Sequence, residues 1–320
     1  MRRREFIAGL LAASLPMAAA AQARPRISIL HSGFPKQTAI HLLLEALGKL
    51  GYDDNRTATI DLLGGEGDPS RLSALVVRLG AQKPDVIIAI TSPAVLALKA
   101  AALATPVVFA FVPDPVGQGI VESLAHPGGN FTGVTYSEAG LGGKRLELLI
   151  DAIAGTTNIA VIWSPSFPGN ADALDSIRKA ASGRGIEVFS REVKALDDLE
   201  SAFDDAVRAK VQAAVFMTDN AMFGNRKQVA ELALAHHLPT IHSFPPEVQD
   251  GGLMSYGPSN AENYQRAAAL ADRVLKGTRP SELPVELPTK FELVVNLKSA
   301  KALGLAIPES FLLRADQVIE

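Results

Sequence analysis

The chain has 320 residues, of which 48% are hydrophobic and 20% charged; this composition fits a globular protein of about two domains and excludes intrinsic disorder. With 31 Lys and Arg against 34 Asp and Glu the net charge is −3, and no basic block occurs beyond the first residues, so nucleic acid is not an expected partner. Cysteine is absent, which removes disulfides, thiol nucleophiles and cysteine-held metals.

Residues 1–23 read as a cleaved signal peptide. Arg2, Arg3 and Arg4 precede an apolar run over 7–21 that is too short to span a bilayer, and Ala21-Gln22-Ala23 offers small residues for cleavage near Ala23. Arg3-Arg4 followed by Glu5-Phe6-Ile7 is similar to a twin-arginine signal, and the general secretory route stays open beside it. Removing these residues takes away three Arg and one Glu, leaving 28 basic and 33 acidic side chains, a net −5. No later stretch has the length of a membrane span. An exported, mildly acidic protein without a direct membrane span is therefore expected.

From residue 27 onward, short β-branched runs alternate with amphipathic helices. Strands are expected at 27–30, 57–62, 86–90 and 107–112, with helices between them marked by Ile40, Leu43, Leu44 and Leu47 and by Leu72, Leu75, Val76 and Leu79. The last two strands are almost purely apolar, as in a sheet covered on both faces. Over 125–136 the pattern breaks around His126-Pro127-Gly128-Gly129-Asn130, and the lobe boundary is placed there. It resumes with a helix near 143–152 and strands at 159–163, 186–190, 213–217 and 239–242. A strand at 253–256, a helix near 261–276, a Pro-rich bend and a segment at 291–303 follow. The expected architecture is α/β, with two Rossmann-like lobes, parallel sheets and a hinge cleft, divided as signal peptide 1–23, N-terminal lobe 24–134, C-terminal lobe 135–254 and return segments 255–320.

Ligands of open parallel sheets lie beyond the carboxyl ends of strands. Asp68-Pro69, Ser92-Pro93 and Asp114-Pro115 each place a capping side chain before a proline suited to the first helical turn. Asp68 reads as a cap alone. Thr91 and Ser92 bring hydroxyls and no charge, which suits a carboxylate or phosphate at a helix start. Asp114 would instead attract a cation such as an α-ammonium, so the pair suits a zwitterion. From the second half, Ser164 to Asn170, Asp219 with Asn220, and Ser243-Phe244 occupy equivalent strand ends, while Tyr136, Trp163 and Phe244 offer rings for stacking. Enzyme motifs fail: the glycines at 64–67 lack a dinucleotide fingerprint, those at 142–143 lack a phosphate loop, and no nucleophile elbow occurs. His236, His237 and His242 do not make a credible metal site, so neither a metal nor a cofactor is expected.

Asp114-Pro115-Val116-Gly117 through His126-Pro127-Gly128-Gly129-Asn130-Phe131-Thr132-Gly133 resembles the signature of a family of ABC-transporter substrate-binding proteins related to tryptophan and tyrosine receptors. Gly251-Gly252-Leu253-Met254-Ser255-Tyr256-Gly257-Pro258-Ser259 and the run from Pro288 to Lys298 resemble its later motifs. The resemblance covers the chain from about Ile27 to its end. It implies a type I periplasmic-binding fold with three crossings, no catalysis, and delivery of a small ligand, an amino acid and possibly an aromatic one, to an ABC permease with a cytoplasmic ATPase. It places Thr91 and Ser92 on the ligand carboxylate, leaves Asp114 and Asp219 as alternatives for the ammonium, and makes His31 a selector of the ligand. A periplasmic monomer is expected; a sensory receptor feeding a chemoreceptor or kinase is the alternative, and a hydrolase a remote third.

Overall fold

A computed structural model describes residues 24–37, 39–136, 138–167, 169–217 and 220–320. The expected signal peptide at 1–23 and the candidate Asp219 lie outside the described residues. In chain order the first half comprises β1 (Arg26–His31), α1 (Ile40–Lys49), β2 (Thr59–Gly64), α2 (Pro69–Gln82), β3 (Val86–Ile90), α3 (Ser92–Ala100), β4 (Val107–Pro113) and β5 (Phe131–Tyr136). The five strands form one parallel sheet in the order β2-β1-β3-β4-β5. Both faces are covered, which explains why β3 and β4 are buried along their whole length. The expected cap at Asp68 is present: its carboxylate accepts from the Ser70 and Arg71 amides at 2.8 and 3.4 Å, an arrangement that contributes about 1 kcal/mol to such a helix.

The second half comprises α4 (Glu138–Ala152), β6 (Asn158–Trp163), α5 (Asn170–Ser182), β7 (Glu187–Glu192), α6 (Asp198–Arg208), β8 (Ala213–Met217), α7 (Asn220–Gly224), α8 (Arg226–Ala235), β9 (Thr240–His242), α9 (Pro245–Gln249) and β10 (Met254–Pro258). After it come α10 (Asn260–Leu275), β11 (Phe291–Asn296), α11 (Leu297–Ala302), α12 (Glu309–Leu312) and β12 (Gln317–Ile319). Its sheet runs β12-β11-β10-β9-β8-β6-β7, parallel except where β10 meets β11. Helix α10 is the exception to this lobe: it packs on α1 and on β3, β4 and β5 of the first sheet. The chain thus passes between the sheets three times, after β5, between β10 and α10, and before β11.

Two local expectations are corrected. Residues 131–136, read with the turn cluster, form β5 and pair with β4. Their strand character is masked by Gly133 and two threonines, each of which has a tertiary reason. A Cβ on Gly133 would lie 2.2 Å from the Phe109 carbonyl oxygen, while the buried hydroxyls of Thr132 and Thr135 donate to the Leu283 and Val112 carbonyls, both at 2.7 Å. No helix follows Asp114-Pro115; residues 115–119 make a turn.

Candidate functional site

The carboxyl ends of the two sheets meet between the lobes. There Pro113, Asp114, Pro115 and Tyr136 of the first lobe face Gly169 and Asp172 of the second across a crevice of about 300 Å³. A larger recess, about 620 Å³, lies at the opposite, amino-terminal ends of β4 and β5. It contains no candidate site residue, and the chemistry argues for the strand-end side.

At the end of β3 the backbone turns sharply. Thr91 has φ 74° and ψ 154°, a combination that is costly for a β-branched residue and persists only where surroundings enforce it. Its amide donates to the Ala110 carbonyl at 3.0 Å, and its hydroxyl shares a 2.5 Å hydrogen bond with Ser32 Oγ. Thr91 is the N-cap of α3, yet no side chain caps the helix, which corrects the expectation that Ser92 would do so. Ser92 instead occupies the first helical position, fully buried, and its Oγ has no hydrogen-bond partner. A buried hydroxyl left unmatched costs about 1–3 kcal/mol. The Thr91 turn, the open first turn of α3 and the orphan Ser92 oxygen therefore concentrate unspent polar capacity at one strand end.

His31 ends β1 in the same row of strand ends. It is buried, and its Nδ1 accepts from the Gly33 amide at 2.8 Å. Burial lowers its pKa from the ordinary 6.5 to about 4, so at neutral pH the ring is uncharged with its proton on Nε2. Asp114 is exposed, with φ 43°, and its Oδ1 accepts from the Gly117 amide at 2.9 Å. It closes its own turn while lining the crevice. Tyr136, 3% exposed, lines the crevice beside it and packs into the first core.

From the second lobe, Asn170 is buried at the start of α5, and its Nδ2 donates to the Ser164 carbonyl at 3.0 Å. Its side chain ties the start of α5 to Ser164, just beyond β6. Asn220 begins α7, while its side chain and Asp219 lie outside what is described. Phe244, at the N-terminus of α9, reaches the first lobe: its ring meets Phe111 edge-on at 5.9 Å and Phe223 at 6.2 Å. Trp163 is not a stacking platform, since it sits in the second core with Nε1 donating to Ser190 Oγ at 3.0 Å. His242 is also internal, hydrogen-bonded to Thr240 Oγ1 at 2.8 Å with Nδ1 3.3 Å from Glu247 Oε1. His236 stacks on Phe203.

The structure adds residues that sequence reasoning missed. Phe111 lies in a bulge of β4 at φ 57° and touches Phe244 as well as Tyr264 of α10, the latter at 5.1 Å. Phe223 is backed by the Arg226 guanidinium 5.0 Å from its ring centre. Each such ring contact contributes roughly 0.5–1.5 kcal/mol beyond burial, and the Phe111–Phe244 pair joins the lobes directly. Ser32 was likewise missed; only its fold partner Thr91 gives it a place.

Two doubly wound lobes, three crossings and a polar and aromatic seam along facing strand ends define the class: a two-lobed binding protein of the type I periplasmic fold. The sequence pattern of the ABC transporter substrate binding protein family matches residues 31–319, and the chain belongs to that family. It is 28% identical over 263 residues, 82% of this chain and 75% of the relative, to a tyrosine-binding protein of Clostridioides difficile. Among solved structures, it is similar to an ABC domain from Streptococcus pneumoniae in complex with L-Trp, with 27% identity, TM-score 0.83, and 93% and 100% of the two chains covered. A conserved domain protein from Vibrio cholerae shares the fold at TM-score 0.84 and 24% identity, covering 92% and 99%. Among the described residues no helix is long and apolar enough to cross a membrane.

Proposed function

We propose that the exported protein is the periplasmic receptor of an ABC importer and binds an amino acid, an aromatic one in the first instance, by closure of its lobes. The observation that carries this reading is the buried, unpartnered hydroxyl of Ser92 at the start of α3, held beside the strained Thr91 turn. A ligand carboxylate arriving there would accept from that hydroxyl and from first-turn amides. The rings of Phe111, Phe244 and Tyr136 supply apolar surface nearby, and neutral His31 offers a donor without charge. The tyrosine- and L-Trp-binding relatives support the same ligand class. For the ammonium we retain Asp114 and Asp219, Asp114 being already part-committed to the Gly117 amide. Nothing in this scheme consumes the ligand, so bound solute should be recovered unchanged and passed to a permease with a cytoplasmic ATPase.

Titration calorimetry of the protein lacking residues 1–23 tests the reading, with L-tyrosine, L-tryptophan, 3-(4-hydroxyphenyl)propionate and ribose as probes. The expected result is heat from the amino acids and none from ribose. Asp114→Asn and Asp219→Asn then identify the ammonium partner as the one that weakens L-tyrosine more than its deaminated analogue. Absence of binding by every amino acid would reject the ligand class.

A further inference from the structure

The second and third crossings are fastened to each other around one carboxylate. Ser259 caps α10 and Glu262 stands three residues later, the spacing of a capping box. In a capping box the glutamate would reach back to the Ser259 amide. That amide donates instead to the Lys290 carbonyl at 2.9 Å, and the Glu262 side chain turns to the third crossing. Its Oε2 accepts from the Thr289 and Lys290 amides at 3.0 and 2.7 Å. Its Oε1 accepts from the Thr289 hydroxyl at 2.5 Å and from Arg266 Nε and Nη2 at 3.0 and 2.8 Å. Arg266 continues through Nη1 to Glu286 Oε2 at 2.9 Å, and the Glu286 backbone is paired with the edge of β5.

This arrangement assigns the linking segments to one side. Helix α10 packs on the first sheet and Glu286 pairs with its edge, so both crossings belong mechanically to the first lobe as far as Ser259 and Lys290. Immediately beyond, Pro258 lies opposite Phe291 in the antiparallel β10–β11 pair of the second sheet. Burial pushes the Glu262 pKa up, but donation from Thr289, Arg266 and the two amides outweighs it and holds the group at about 2, so the carboxylate is charged throughout the working range.

We infer that Glu262, with Arg266, is a hinge clamp: it locks the second and third crossings into one strap and leaves the junction at 258–259 and 290–291 as the place where they bend. Glu262 is a positioning residue, since it touches none of the candidate ligand-binding side chains. The inference rests on the lobes moving relative to each other, and goes beyond the choice of ligand.

The absence of cysteine allows a direct test. Cysteines introduced at the exposed Val77 of α2 and Val207 of α6, one in each lobe, carry nitroxide labels, and the inter-lobe distance distribution is measured by double electron–electron resonance without ligand. The doubly labelled parent should give a narrow peak. Glu262→Ala should lose it to a broad distribution, and Glu262→Gln, which keeps one acceptor oxygen but not the ion pair, should fall between. A role confined to helix stability would lower the melting temperature and leave the width unchanged, and an unchanged width in the folded Gln variant overturns the clamp even if the Ala variant fails to fold. L-tyrosine and L-tryptophan form a separate arm on the parent: failure to shift its distance counts against the proposed ligands, while the ligand-free widths still decide the clamp.

Discussion

The facing edges of the two lobes are built in opposite ways. Along the first sheet, Thr91, Phe111 and Asp114 all hold positive φ, at 74°, 57° and 43°, and Ser92 buries a hydroxyl without a partner. Along the described part of the second, the loops at the strand ends satisfy their own polar groups more fully: Asn170 bonds the Ser164 carbonyl, Ser164 and Ser166 share a hydrogen bond at 2.8 Å, and Glu247 accepts from the Phe244 amide at 3.0 Å, although Ser255 Oγ in β10 is unpartnered. Strain persists only where the surroundings enforce it, and the unmatched Ser92 oxygen of the first edge is what the proposed ligand would answer.

The largest effect should come from the aromatic seam. Phe111→Ala removes a buried ring together with its contacts to Phe244 and Tyr264, and large-to-small changes of this kind cost about 3–5 kcal/mol. Urea unfolding should report a loss in that range. A loss no larger than that of an exposed-site control would mean the ring contacts between the lobes contribute little.

The next effects should differ in sign between the edges. Ser92→Ala deletes an oxygen that is already unsatisfied, so the ligand-free protein should be unchanged or up to about 1 kcal/mol more stable, while affinity for an amino acid falls by about 1–3 kcal/mol. Asn170→Ala leaves the buried Ser164 carbonyl with only the long 3.4 Å hydrogen bond from the Phe167 amide and should destabilise the fold by about 1–3 kcal/mol. Melting curves with and without L-tyrosine separate the two. Should Ser92→Ala destabilise the free protein as much as Asn170→Ala does, the contrast between the edges would be lost.

How far the sequence reached follows the same division. Asp68 announces its cap because acceptor, proline and helix are neighbours in the chain, and the apolar runs of β3 and β4 announce a sheet covered on both faces. Ser92 was legible as the start of a helix, but its isolation was not, since that depends on Thr91 turning its hydroxyl to Ser32, 59 positions away. Glycine would have signalled the left-handed turns; threonine and phenylalanine do not. Phe111 reads as one more core residue in an apolar strand, and only the bulge between Phe109 and Val112 turns it toward a ring from the other lobe. Likewise β5 was hidden because Gly133, Thr132 and Thr135 answer to Phe109, Leu283 and Val112 rather than to their own periodicity.

The smallest effect at neutral pH, and the most specific to the first edge, belongs to His31. Its pKa is about 4 when folded against 6.5 ordinarily, so between these values the unfolded chain binds a proton that the folded protein does not, and stability must fall as pH drops through that window. The contribution is fully present above pH 6.5 and lost below pH 4. Glu262, held at about 2 against 4.5, acts in the same direction but only below its own ordinary value, which keeps the interval from pH 6.5 to 4.5 diagnostic for the imidazole. His31→Asn retains an acceptor for the Gly33 amide and removes the titration, so its stability should be flatter than the parent's across that interval in urea melts at fixed ionic strength. If the two slopes coincide, the imidazole at the end of β1 is open to protonation in the folded state, and the first edge is wetter than its burial implies.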